Sequence, residues 1–128
     1  MHTLADIFAQ ASADKNALCI DRGDSISYVR HGVKVTRYSN GELAVFYVGL
    51  GSNDYDELSK GAVSYLLDSG WYIGCVRIAM QRRTLMLERL DKQLLAETDQ
   101  RMRDIIVERI GECEQKLQTL LSKYNGNN

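Results

Sequence analysis

Hydrophobic and polar positions follow two different periods along the chain. Near the start, Leu4, Ile7, Phe8 and Ala11 recur at steps of three and four, the spacing that lines one face of a helix. Thr3 stands where a cap belongs, and Asp6 follows at the capping-box distance. The period then drops to two. Leu18–Ile20 predicts a short strand ahead of the turn residues Asp21-Arg22-Gly23-Asp24, and Ser25–Arg30, Val33–Ser39 and Glu42–Val48 predict three longer strands. His31-Gly32 and Asn40-Gly41 separate them as two-residue loops. Asn-Gly is the stronger hairpin signal, because both central residues of a type I′ turn need positive φ. Val33, Val35 and Arg37 share one face of their strand, with Lys34, Thr36 and Tyr38 on the other. That alternation fits a meander covered on one side by helix.

Helical spacing returns after the meander. Asn53, with Asp56 three residues on, predicts a helix start, and Leu58, Ala62, Tyr65 and Leu66 form its apolar stripe up to about Ser69. Gly70 is a natural stop. Trp71 to Val76 is β-rich in composition, yet Ile73, Val76 and Met80 keep helical spacing and favour helix from about residue 71. Val76, Met80, Leu87, Leu90 and Leu94 form one apolar series. Met102, Ile106, Ile110, Cys113, Leu117, Leu120 and Tyr124 form a second. The stripe shifts phase near Glu97-Thr98-Asp99, which leaves two architectures: a helical hairpin turning there, or a continuous helix around which the stripe drifts. The absence of Gly and Pro at the junction favours the continuous helix. Gly61 and Gly111 fall inside the helical patterns and weaken them locally.

The expected class is α+β: a short N-terminal helix, a small antiparallel β-meander, a covering helix, then a long C-terminal helix or αα-hairpin. Residues 1–70 form the α+β unit, 71–124 a helical segment that presents an oligomer or partner surface, and 125–128 a frayed tail.

Composition narrows the function classes. The 128 residues are 45% hydrophobic, enough for one real core. Sixteen basic and seventeen acidic side chains give a net charge of −1, which removes the simplest case for a nucleic-acid binder. Residues 1–70 hold six basic and nine acidic side chains, and residues 71–128 ten and eight, so a mild asymmetry hides in the total. No apolar run is long enough for a membrane span. The start, MHTLADIFAQ, lacks a basic region followed by an apolar one, so no export signal is expected. Cys19, Cys75 and Cys113 are widely spaced, form no CxxC pair and have no short-spaced histidine beside them. Three reduced, mostly buried thiols in a cytoplasmic protein are expected, with no metal and no cofactor.

Local motifs mostly reduce to structure. Arg22-Gly23-Asp24 spells an adhesion tripeptide but reads as a turn. Gly49-Leu50-Gly51-Ser52 resembles a phosphate cradle, yet it lacks a lysine, and Asp54, Asp56 and Glu57 would repel an anion there. The same acids lack the ligand spacing of a calcium loop. No Gly-x-Ser-x-Gly elbow or other nucleophile arrangement appears, so an enzyme is not expected.

Two surfaces remain. Residues 71 to 83 hold Trp71 and Tyr72 followed by Arg77, Arg82 and Arg83, with no acid between. Arginines recognise phosphate or carboxylate and aromatics stack bases. At helical spacing, however, Arg77 falls beside Ile73 and not beside the aromatics. The second surface is the helical stripe: Leu87, Leu90, Leu94, Met102, Ile106, Ile110, Leu117 and Leu120 exceed what one small sheet needs as cover, and self-association would bury them. The leading expectation is therefore a non-enzymatic binding protein, an adaptor or an inhibitor of a larger protein, oligomerising through its C-terminal helices. Phage-encoded proteins that block host defence are often of this class. The alternatives are a small-ligand binder that sequesters a nucleotide-like anion at a subunit interface, and a DNA-binding regulator using the same arginines.

Overall fold

The structure, a computed structural model, describes residues 1–48, 55–57 and 60–126. Its contacts divide the chain into two units, Met1–Ile78 and Ala79–Asn128.

The first unit opens with α1 (Leu4–Ala13). Its start is a capping box: the Thr3 amide donates to Asp6 Oδ2 at 2.9 Å, and the Asp6 amide donates to Thr3 Oγ1 at 3.2 Å. Five strands follow: β1 (Leu18–Asp21), β2 (Ser25–Arg30), β3 (Val33–Tyr38), β4 (Leu43–Val48) and β5 (Tyr55–Glu57). They pair in sequence order, each antiparallel to the next, which is the expected meander with one strand more.

The two loops within it differ from each other. His31 and Gly32 both take positive φ, 52° and 79°, as a type I′ turn requires. At Asn40-Gly41 only the glycine does, with φ 89°. There the Gly41 amide donates to the Tyr38 carbonyl, and the Tyr38 amide donates to the Glu42 carbonyl, both at 2.9 Å. The type I′ expectation at Asn40-Gly41 is corrected: this is a longer loop with glycine in the left-handed position. Asn40 keeps a negative φ while its Oδ1 accepts the Glu42 amide at 3.0 Å.

A second correction concerns the covering helix, α2, which spans Lys60–Ser69 and not 53–69. Asp56 and Glu57 belong instead to β5, where they pair with Tyr47 and Phe46. Two adjacent acids resemble a helix start locally, but strand pairing with β4 overrides that preference. The Asn53 cap, Asp54, Leu58 and the Gly49–Ser52 loop lie outside the described residues.

α3 (Trp71–Ala96) begins at Trp71, as its spacing predicts. Gly70 ends α2 with φ 85°, its amide donating to the Leu66 carbonyl at 2.8 Å. The core gathers Ile7, Phe8 and Ala11 from α1, Val33, Val35, Val45 and Tyr47 from the sheet, Ala62 and Leu66 from α2, and Trp71, Cys75 and Ile78 from α3. The first two turns of α3 thus belong to the first core, so the division falls at Ile78 within that helix and not at Gly70. On the opposite face of the sheet, Ser27 and Thr36 pair across β2 and β3 and share a hydroxyl hydrogen bond of 2.7 Å. Each hydroxyl satisfies the other, which lets Thr36 be buried at a nominally polar position.

The second unit is an αα-hairpin, so the continuous helix is not formed. α3 ends at Ala96 and α4 runs from Gln100 to Gly126. Side chains do at this turn what Gly or Pro does elsewhere. Arg103 Nη1 donates to the Leu94 and Glu97 carbonyls, each at 2.8 Å, satisfying the end of α3. Asp99 caps α4 by accepting the Arg101 amide at 3.0 Å, and Glu97 Oε1 accepts the Asp99 amide at 3.0 Å. Leu90, Ile106 and Cys113 form the buried seam, flanked by half-buried Met86, Leu87, Leu94 and Ile110. The Cys113 thiol donates to the Arg83 carbonyl at 3.5 Å. Asn125 and Gly126 are still helical, and 127–128 lie outside the described residues.

A pair of glycines tests this packing. A Cβ at Gly74 would fall 2.7 Å from Leu66 Cα, whereas one at Gly111 in α4 would meet nothing within 4 Å. Gly74→Ala should destabilise by roughly 1–3 kcal/mol through overpacking against backbone. Gly111→Ala should stabilise by roughly 0.5–1 kcal/mol through helix propensity. Urea unfolding of both variants measures this, and equal effects would contradict the close crossing of α2 and α3.

Candidate functional site

The polar chemistry of the first unit converges on Asp14, the residue that ends α1. Arg30, the last residue of β2, donates from Nη1 to Asp14 Oδ2 at 2.7 Å. The Trp71 indole donates to the same oxygen at 3.0 Å. Above this pair the Arg30 guanidinium lies 4.1 Å from the centroid of the Tyr72 ring, and the His31 ring lies 5.9 Å from that ring. Burial alone would raise the Asp14 carboxyl. The hydrogen bonds from Arg30, the Asn16 amide and Trp71 outweigh it and hold the group below the ordinary carboxylate range.

Trp71 and Tyr72 are therefore brought together with a cation, but it is Arg30 and not the arginines that follow them in sequence. Trp71 is 2% exposed and lies in the core. Its amide donates to Gln10 Oε1 at 2.8 Å, which caps the start of α3. Arg77 points elsewhere: its Nη1 donates to Ser69 Oγ at 2.7 Å and its guanidinium lies 4.7 Å from the Tyr65 ring centroid. Arg82 and Arg83 are half-buried residues of the second unit.

Sequence spacing missed Asp14 and the adjacent pair Arg30-His31 because the carboxylate ends α1 and the pair stands at the end of β2, sixteen residues on, and only folding joins them to Trp71 and Tyr72. The positive φ of His31, rare for a residue with a side chain, follows from the two-residue loop that it forms with Gly32. The remaining motifs are structural. In Arg22-Gly23-Asp24, Gly23 takes φ 85° and its amide donates to Asp21 Oδ1 at 2.9 Å, so the tripeptide is a turn. An open cleft of about 240 Å³ lies beside it, lined in part by Asp24, Arg37 and Tyr38; the Arg37 guanidinium there lies 4.8 Å from the Phe8 ring centroid. Cys19, Cys75 and Cys113 are all free thiols, with Cys19 exposed and the other two buried. Burial pushes the Cys75 thiol well above its ordinary range, which makes it unreactive. Among the described residues no group of three His, Cys, Asp or Glu side chains could hold a metal ion, and no helix is long and apolar enough to cross a membrane.

The stripe residues occupy graded positions on the hairpin. Leu90, Ile106 and Leu120 are buried; Leu87, Leu94, Ile110 and Leu117 are half-buried; Met102 is exposed. Leu95, Ile105, Val107 and Leu121 are also exposed. No protein-family model, curated protein or solved structure matches the chain.

Asp14→Ala should leave both the Arg30 guanidinium and the Trp71 indole without their acceptor. The expected loss is about 2–4 kcal/mol at neutral pH by denaturant unfolding. Because the folded Asp14 carboxyl sits below its unfolded value, its contribution is complete above about pH 4 and fades as pH falls further. The difference between wild type and variant should therefore shrink below about pH 4. A difference that stays constant down to pH 2 would show that Asp14 acts through shape alone.

Proposed function

We propose that this protein acts by binding and not by catalysis, as an adaptor or inhibitor of a larger protein, and that it assembles with itself through its C-terminal helices. The supporting observation is the incomplete burial of the hairpin. Two helices can enclose only one seam between them, and here Leu87, Leu94, Ile110 and Leu117 remain half-buried while Val107 and Leu121 stand exposed. Each fully covered side chain of this size contributes roughly 1.5–3 kcal/mol, so a further layer of helix has a large stabilisation to gain. Residues 79–128 hold nine basic and eight acidic side chains, a balance of only +1, so little net charge opposes the meeting of two copies.

The arginines after Trp71 support an anion site less well. Arg77 is engaged by Ser69 and Tyr65, and Arg30 is neutralised by Asp14. Three free thiols suit a reducing compartment, and the cytoplasm is the proposed location. Light scattering behind a sizing column at micromolar protein should give a dimer or higher oligomer; a monomer would overturn the assembly part of this reading. A nucleotide mixture incubated with the protein should be recovered chemically unchanged after denaturation. Product in excess over protein would overturn the non-enzymatic part.

A further inference from the structure

The hairpin has two unlike flanks. Seven residues make almost two helical turns, so positions seven apart form rows along a helix. On α4 the row Ile106–Cys113–Leu120 is buried. The row one residue on, Val107–Glu114–Leu121, runs along one side of it. The row Arg109–Lys116–Lys123 runs along the other, with Met102 at its head. On α3 the seam passes through Leu90. Met80–Leu87–Leu94 lies on the side reached by the helix's forward rotation, and Arg82–Arg89 on the other. In two antiparallel helices packed face to face, forward rotation from the seam leads to the same flank on both. One flank therefore carries Met80, Leu87, Leu94, Val107 and Leu121, while the opposite flank carries Arg82, Arg89, Arg109, Lys116 and Lys123, with Met102, Ile105 and Glu112 among them.

Exposure agrees with this division. Val107 and Leu121 are 55% and 36% exposed, and Leu87 and Leu94 are half-buried, so the first flank is apolar and partly wet. Arg89, Arg109, Lys116 and Lys123 are exposed.

From this we infer that a second copy of the chain seats on the Leu87–Leu94 and Val107–Leu121 flank, two hairpins closing into a four-helix bundle with the basic flanks turned outward. The inference rests on the proposed self-association and names the face that carries it. Charge chooses the face. Pairing two basic flanks would bring like charges together, whereas the rows one residue beyond Leu90 and Ile106 hold, within this unit, two acids, Asp91 and Glu114, and no base. Size is sufficient as well. Two helices about 10 Å wide, over some 20 residues at 1.5 Å rise, present roughly 600 Å² per copy. The total of about 1,200 Å² lies at the lower end of specific interfaces.

Light scattering and dilution experiments on the full chain test this. Val107→Glu with Leu121→Glu should convert a wild-type dimer to monomer at micromolar protein with far-UV helicity unchanged, because both side chains are exposed. The milder Val107→Ala with Leu121→Ala keeps the helix and should raise the dissociation constant on the order of tenfold or more. Arg109→Glu with Lys116→Glu should leave the dimer intact. An oligomer that survives the first two pairs, or dissociates with the third, overturns the choice of face while leaving self-association standing. A monomeric wild type overturns self-association itself, and this inference with it.

Discussion

One carboxylate holds the first unit in register. Asp14 ends α1, and through a single oxygen it accepts both the guanidinium that terminates β2 and the indole that begins α3. Three elements distant in sequence thereby share one acceptor. The group is only 11% exposed, so its ionised form depends on those donors, and they in turn depend on it. A buried polar network of this kind is stabilising only when each member is satisfied. The surrounding core of Ile7, Phe8, Val35, Leu66 and Ile78 supplies the hydrophobic stabilisation. The Asp14 contacts determine where the first turn of α3 sits over it.

That placement reassigns the residues with the most evident binding chemistry. Trp71 has the composition of a stacking platform, but its indole is spent inside the core on Asp14. Arg77 has the composition of an anion ligand, but Ser69 and the Tyr65 ring take it up. Arg30, which no spacing argument favours, is the cation that meets an aromatic face. An aromatic beside arginines in sequence is a statement about composition. Whether they meet depends on which helix face turns inward, and here Ile73 and not Trp71 stands one helical turn before Arg77.

The second unit shows the same separation between pattern and outcome. Its two apolar series are plain in the sequence, and their change of phase at residues 97–99 marks the turn. The architecture hinged on whether a helix could end without Gly or Pro. Glu97, Asp99 and Arg103 answer this with side-chain atoms that bond to the free carbonyls and amides. An arginine seven residues beyond a helix end carries no capping signature until the chain has turned back on it.

Sequence alone determined what short-range physics determines: the capping box at Thr3 and Asp6, the strand Ser25–Arg30, the strand Val33–Ser39 to within one residue of its observed end at Tyr38, the stop at Gly70 and the helical start at Trp71. In each, the pattern that reveals the element spans a few residues, so spacing is enough to read it even where, as at Trp71, a distant side chain completes the cap. Tertiary structure decided the rest. β5 is a strand because β4 offers it partners, the turn at Asn40-Gly41 lengthens to suit its own hydrogen bonds, and Thr36 is buried because Ser27 stands opposite. The shared acceptor at Asp14 and the split of the hairpin into an apolar and a basic flank belong to the same class. Both arise from residues far apart in the chain, and a one-dimensional pattern specifies which face a residue occupies but not what comes to lie against it.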